Sequence, residues 1–282
     1  MTINNSCRFI TLFLSVLFFF NNSCKTSSDP LPKVEHYLHI AHTRTNSNPD
    51  MDSIAEIIDY SKYDMLWLGG DLAKHTSIND EAMIHVDSIF DLGNSNTLWA
   101  LGNHDYNDLA KVAAYSKRPP YYSYHRNRIT YVVLDTQDSL SSFVGAQKAL
   151  LENIADTIQE SSHLVLLHHK LIWMYGNTEL ESQIGAISNG SFGGCFFCIN
   201  PNNFNTEIYP NLVKIKNKGI EILCIGGDIG HKAKEFEYLT PEGIHFLASG
   251  ISAGSSKNKA LLFTHDLTTG VLNWEFKLLT EL

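Results

Sequence analysis

Basic residues are scarce in this chain: 21 Lys and Arg stand against 30 Asp and Glu, a formal charge of −9. That deficit speaks against a general nucleic-acid binder, which needs a surplus of cations facing phosphates. Cysteine is scarce too, with five in 282 residues. Cys195 and Cys198 form a lone Cys-x-x-Cys. A structural zinc site would need two further ligands at suitable spacing, and none stands nearby, so the pair reads as a local disulfide or as two unpaired loop thiols. Cys224, inside an apolar run, reads as an inert core thiol. Long apolar runs are also missing after the first twenty residues, which excludes a later transmembrane helix.

The one long apolar run, residues 9–20, follows Arg8 and gives way to Asn21-Asn22-Ser23-Cys24. It is too short to span a bilayer and reads as a secretory leader. Ser23-Cys24 before a polar stretch resembles a lipoprotein processing site. Residues 1–23 are therefore expected to be a signal peptide and residues 24–33 a tether. Cys24 would carry a lipid anchor that places the protein in the periplasm or cell envelope, at a membrane. Ordinary signal cleavage and an uncleaved N-terminal anchor are the alternatives. Losing Arg8 leaves the remainder more acidic still, and residues 34–282 are long enough for one α/β domain.

Apolar and polar residues then alternate in blocks. Strands are expected at 34–41, 64–68 and 98–101, with amphipathic helices at 50–60 and 79–92 between them. That order implies parallel neighbours joined by right-handed crossovers. Strands at 121–124 and 128–135, a helix at 145–160 and a buried strand at 163–167 follow. Residues 171–205 have no clear period and read as a loop insertion, a lid or a disordered segment. A helix at 206–218 and a strand at 220–225 come next. The runs 235–239, 243–248, 260–266 and 271–278 read as an antiparallel half.

The strand ends carry the chemistry. The first delivers His42-Thr43-Arg44, the second Gly69-Gly70-Asp71 and the third Gly102-Asn103-His104-Asp105. Later ends deliver His168-His169 and Gly226-Gly227-Asp228, with His231 just beyond. Singly, each has a plain reading as a turn residue, a core histidine or a surface charge. Carboxylates, an amide and imidazoles gathered along one sheet edge are the ingredients of a divalent-metal site.

In these motifs the chain resembles the calcineurin-like metallophosphoesterase family. Gly70-Asp71 and Gly102-Asn103-His104 match the family pattern directly, and His168-His169 fits its fourth motif. Tyr121 to Tyr124, Leu134-Asp135-Thr136 and Gln147 are similar to its middle section. The resemblance implies an α/β two-sheet sandwich flanked by helices, a four-layer αββα arrangement. It aligns His168 with the fourth-motif ligand, leaving His169 as the alternative. The outer motifs depart: His42-Thr43-Arg44 stands where the family has Asp-x-His, and Gly227-Asp228-Ile229-Gly230 where it has Gly-His-x-His.

Carried over residue by residue, the resemblance implies metal ligands at Asp71, Asn103, His168 and Asp228, with His42 a further candidate. The cofactor would be divalent Mn, Fe, Zn or Mg, one or two ions per chain. Arg44 cannot ligate metal, and its fork suits phosphate oxygens, so it is expected to supply the charge of a missing ion. His104 is the expected general acid, Asp105 its orienting partner, and His42 and Arg44 hold phosphate oxygens. His231 swinging inward would restore a two-metal site. Trp173 and Tyr175 are candidates for stacking on a base or sugar, or for loop packing. The expected activity is hydrolysis of a small phosphomonoester or phosphodiester outside the cytoplasm. A binding protein on the same scaffold, and an interaction module built on the 171–205 loop, are the alternatives.

Overall fold

A computed structural model describes residues 33–282. The expected leader 1–23, Cys24 and the tether up to residue 32 lie outside the described residues. Eleven strands and five α-helices follow in chain order: β1 Val34–Ile40, β2 Met65–Leu68, α1 Asp80–Phe90, β3 Thr97–Trp99, α2 Leu109–Ser116, β4 Tyr122–Arg126, β5 Ile129–Val133, α3 Gly145–Thr157, β6 His163–His168, α4 Ile184–Ile187, α5 Tyr209–Lys216, β7 Glu221–Gly226, β8 Glu235–Leu239, β9 His245–Ser249, β10 Lys259–Asp266 and β11 Leu272–Leu278.

The strands form two sheets, one of five in the order β11-β10-β1-β2-β3 and one of six in the order β4-β5-β6-β7-β9-β8. Side-chain alternation explains why they stack, because central strands such as β2, β6 and β7 present apolar residues on both faces. Tyr37, Trp67 and Leu98 of the first sheet meet Tyr131, Val165, Leu223 and Leu247 of the second in a dry inner layer. The opposite faces, with Leu38, Leu66 and Leu68, pack on Met83, Val86 and Phe90 of α1. On the far side Leu164, Leu166 and Ile222 pack on Leu151 of α3 and Leu212 of α5. The result is the expected α/β/β/α layering.

Three expectations change. Residues 50–60 form two short 3-10 turns, Ala55–Ile57 and Tyr60–Lys62, rather than an α-helix. Asp52 Oδ1 takes the backbone N–H groups of Ile54 and Ala55 at 3.0 and 3.4 Å, an alternative to the helical ladder, and Ile58 is extended. The last four strands are not one antiparallel half: β10 and β11 complete the first sheet, while β9 joins the second parallel to β7, with β8 antiparallel beside it. The 171–205 segment is built rather than loose. Trp173 is fully buried and stacked on Phe246 at 5.0 Å, so it is packing rather than a stacking platform, and Cys195 and Cys198 form the local disulfide.

The two sheets touch most closely at one edge. A Cβ on Gly227 would lie 1.9 Å from the Gly69 carbonyl oxygen and 3.0 Å from Ala41 Cβ. Backbone therefore packs on backbone where β2 and β7 end, and no side chain fits between them. Gly227→Ala is expected to lower stability by about 1–3 kcal/mol through overpacking and to disturb the carboxylates beside it. Thermal melting checks this, and an unchanged melting temperature would contradict it.

Candidate active site

Asp71 is the centre of the edge. It leaves β2 in a left-handed conformation (φ 56) and is buried, with 2% exposure. Its Oδ1 accepts from the His104 backbone N–H at 2.9 Å and lies 3.5 Å from His169 Nε2. Around Oδ2 stand Arg44 Nε at 3.5 Å, His42 Nε2 at 3.8 Å and His104 Nε2 at 4.0 Å. Burial alone would raise the Asp71 carboxyl, but the surrounding imidazoles, His169 foremost, outweigh it and hold the carboxyl below its ordinary value.

His169, not His168, faces this centre. Along β6, Val165 and Leu167 point into the inner layer and Leu164 and Leu166 outward. Period-two alternation therefore turns His168 outward, where it packs edge-on against Trp173 at 4.6 Å. Burial pushes His168 down to about 3. His169 Nδ1 donates to the Gly69 carbonyl at 2.7 Å, which fixes the tautomer and leaves Nε2 without a hydrogen-bond partner among the described residues. Nε2 lies 4.0 Å from Asp228 Oδ1 as well as 3.5 Å from Asp71. Burial opposes charge on His169, but the two carboxylates prevail and raise it above its ordinary value. Burial raises Asp228.

Among the described residues, no three or more His, Cys, Asp or Glu side chains stand in a ready-made metal cluster. The donor chemistry on the two sides of Asp71 nevertheless differs. On one side, an orphaned buried imidazole nitrogen lies between two carboxylates, and its other nitrogen is fixed by a backbone carbonyl. That is the arrangement of a metal-binding histidine with its outer-shell support, and a divalent cation fits there. Asn103, half-buried, lies in the adjoining turn between Gly102 and His104.

The other side does not fit a cation. His42 Nδ1 bonds the Ile251 carbonyl at 3.2 Å and its Nε2 lies 2.7 Å from Asn189 Nδ2, so both ring nitrogens are engaged. Burial lowers His42 to about 3 and keeps the ring neutral. Gly230 makes room for this pair: a Cβ there would lie 2.3 Å from Asn189 Nδ2 and 2.6 Å from His42 Nδ1. His42 is thus removed from the ligand set, and Arg44 stands against Asp71 instead. Exposed His231 lies at the mouth of a polar cavity of about 270 Å³ that His42 and Arg44 also line, together with Asn46 and Ser252.

Asp105 has a different role from the expected one. Its carboxylate accepts from the backbone N–H groups of Asp71 (2.7 Å), Leu72 (3.1 Å) and Gly102 (2.8 Å) and from the Thr76 hydroxyl. It ties the β2 and β3 turns together, while the Lys74 carbonyl is the group that orients His104 through Nδ1. Residues that sequence reasoning passed over are Asn189 and Lys170. Asn189 sits in an aperiodic loop, where spacing carries no signal. Lys170 adjoins His169, has 1% exposure, and burial lowers it to about 8.

Among solved structures, the chain is similar to a dimetal phosphatase from Danio rerio, at a TM-score of 0.52 and 10% identity, over 87% of this chain and 96% of that one. It is also similar to a 5'-nucleotidase precursor from Thermus thermophilus, at a TM-score of 0.41 and 13% identity over 87% of this chain and 54% of that one. An NAD nucleotidase of Haemophilus influenzae is similar at a TM-score of 0.39 and 14% identity over 86% and 49%. This chain spans about half the length of either nucleotidase. No family model matches the sequence, and no curated protein matches it at significance. The fold is the α/β metallophosphoesterase fold, with two mixed sheets flanked by helices.

Asp105→Ala leaves three backbone N–H groups without their acceptor and is expected to cost at least about 3 kcal/mol of stability. Denaturant unfolding measures it. A stable variant whose only defect is a shifted pH profile would contradict the bracing role.

Proposed function

We propose that the protein is an exported phosphoester hydrolase in which one divalent cation and Arg44 share the work of a two-metal centre. The observation that carries this reading is the pair of approaches to Asp71: Arg44 Nε at 3.5 Å from Oδ2 and His169 Nε2 at 3.5 Å from Oδ1. Asp71, Asn103, His169 and Asp228 would hold the cation. The chemistry such an ion supplies when bound is polarisation of a phosphoryl oxygen and a lowered pKa for an attacking water.

The protein's own groups do the rest. Asp71 faces Arg44 Nε as an ion pair at 3.5 Å, and the terminal guanidinium nitrogens take two phosphoryl oxygens. That charge stays fixed while negative charge builds on the transferring group. His104 Nε2, with Nδ1 held by the Lys74 carbonyl, gives its proton to the leaving oxygen. The polar cavity beside Arg44 receives a small phosphorylated substrate. Anchoring through Cys24 would keep the site at a membrane surface in the periplasm or cell envelope.

The His42–Asn189 pair beside Asp71, which engages both His42 ring nitrogens, favours a second reading, a binding protein on a phosphatase scaffold. A screen of the purified, metal-reconstituted protein against phosphomonoesters and phosphodiesters separates the two. Turnover is expected, and His104→Ala should lower it by about two to four orders of magnitude on esters with poor leaving groups, with metal content retained. Binding without turnover of any ester would favour the second reading.

A further inference from the structure

The strand ends place one more cation at the site. Lys170 is fully buried, yet among the described residues its Nζ has no hydrogen-bond partner and no carboxylate within ion-pair distance. A desolvated ammonium without a partner is costly and calls for a ligand. The carboxylates whose charge reaches Lys170 are Asp228, then Asp135 and Asp71, and none forms an ion pair with it; Asp135 instead takes the Tyr106 hydroxyl at 2.7 Å and the backbone N–H groups of Gln137 and Asp138 at 2.9 and 3.2 Å. Above Lys170 lies the disulfide-closed loop, with the Phe196 ring 6.0 Å from Nζ and 5.9 Å from the Tyr106 ring.

Further unpaired polar atoms lie on the segments that flank Lys170. The Lys170 backbone N–H bonds the Thr136 hydroxyl at 3.2 Å, which lays the end of β5 alongside. Gln137, next in sequence and 4% exposed, has neither side-chain atom paired among the described residues. Asn200 holds the loop through the Cys195 N–H at 2.9 Å, and its amide nitrogen is likewise unpaired.

From this arrangement we infer that Lys170 anchors a second anionic group, a carboxylate or phosphate on the non-reacting part of the substrate. Gln137 and Asn200 supply amide donors, and Phe196 and Tyr106 form an aromatic wall beside the ammonium. The inference rests on the phosphoesterase reading for the identity of the first group: Arg44 takes the phosphoryl group from the β1 side, and Lys170 takes the second anion from the β6 side. The substrate class is therefore a phosphate ester that carries another negative charge.

A matched ligand pair tests this without turnover. Ethylphosphonate has one anionic group, and 3-phosphonopropionate is the same molecule with a carboxylate on its far carbon. Calorimetric titration of the metal-loaded protein is expected to give about tenfold tighter binding of 3-phosphonopropionate, the range for hydrogen bonds to charged groups. Lys170→Met should reduce that preference to about twofold or less with ethylphosphonate affinity little changed, and Lys170→Arg should keep most of it. A wild-type protein without the preference, or a preference that survives Lys170→Met, would overturn the inference. The wild-type comparison stands even where a variant fails to fold. If both ligands bind with the expected preference but no ester is hydrolysed, the phosphatase reading fails and the anchor remains.

Discussion

Everything at the site depends on a backbone contact. Gly69 and Gly227 close on each other where β2 and β7 end, nearer than any side chain would allow. Two sheets normally stack about 10 Å apart with side chains interdigitated. Here the layer thins to bare peptide, and the carboxylate that follows each seam glycine, two residues on at Asp71 and one at Asp228, is carried up to the seam. Asp71 and Asp228 thereby come to lie on either side of one imidazole, His169, which is itself held by the Gly69 carbonyl. The glycines of the Gly-Gly-Asp turns position the carboxylates rather than merely permitting a turn.

Buried carboxylates at such a seam require compensating charge or donors. Asp105 is satisfied by backbone N–H groups and so serves as a brace. The Asp71 carboxylate accepts the His104 backbone N–H, and Arg44 and the imidazoles of His104 and His169 balance its charge from 3.5, 4.0 and 3.5 Å. Arg44 and Gly230, at the ends of β1 and β7, belong to this one arrangement. Without a Cβ at Gly230, His42 and Asn189 pack together as a neutral pair in the space where donors for a second ion would be needed. With that space filled, Arg44 becomes the cation beside Asp71.

Much of this was legible in the sequence, because strand ends announce themselves where an apolar run stops at Gly-Asp or Gly-Asn-His. The edge that carries Asp71, Asn103, His104 and Asp228 followed from that punctuation, and the layer order from the resemblance its motifs carry. His169 was legible too, since the alternation Leu164, Val165, Leu166, Leu167 assigns His168 to the outer face, yet motif spacing pointed to its neighbour. Other features were not readable. The apolar spacing of Met51, Ile54 and Ile58 suits a helix, but an Asp52 side chain captured the backbone donors. The pairing of β9 with β7 depends on contacts distant in sequence. Asn189, Lys170 and the bracing role of Asp105 arise only when separate strand ends meet.

The central claim is that one cation and one guanidinium flank Asp71. Metal stoichiometry tests it most directly: the purified protein is loaded with Mn2+, freed of loosely held ions, and its metal and protein contents are measured on the same sample, alongside Asp228→Ala. The account predicts about one tightly held ion per chain and its loss in the variant. Two tightly held ions per chain in the wild-type protein would contradict it.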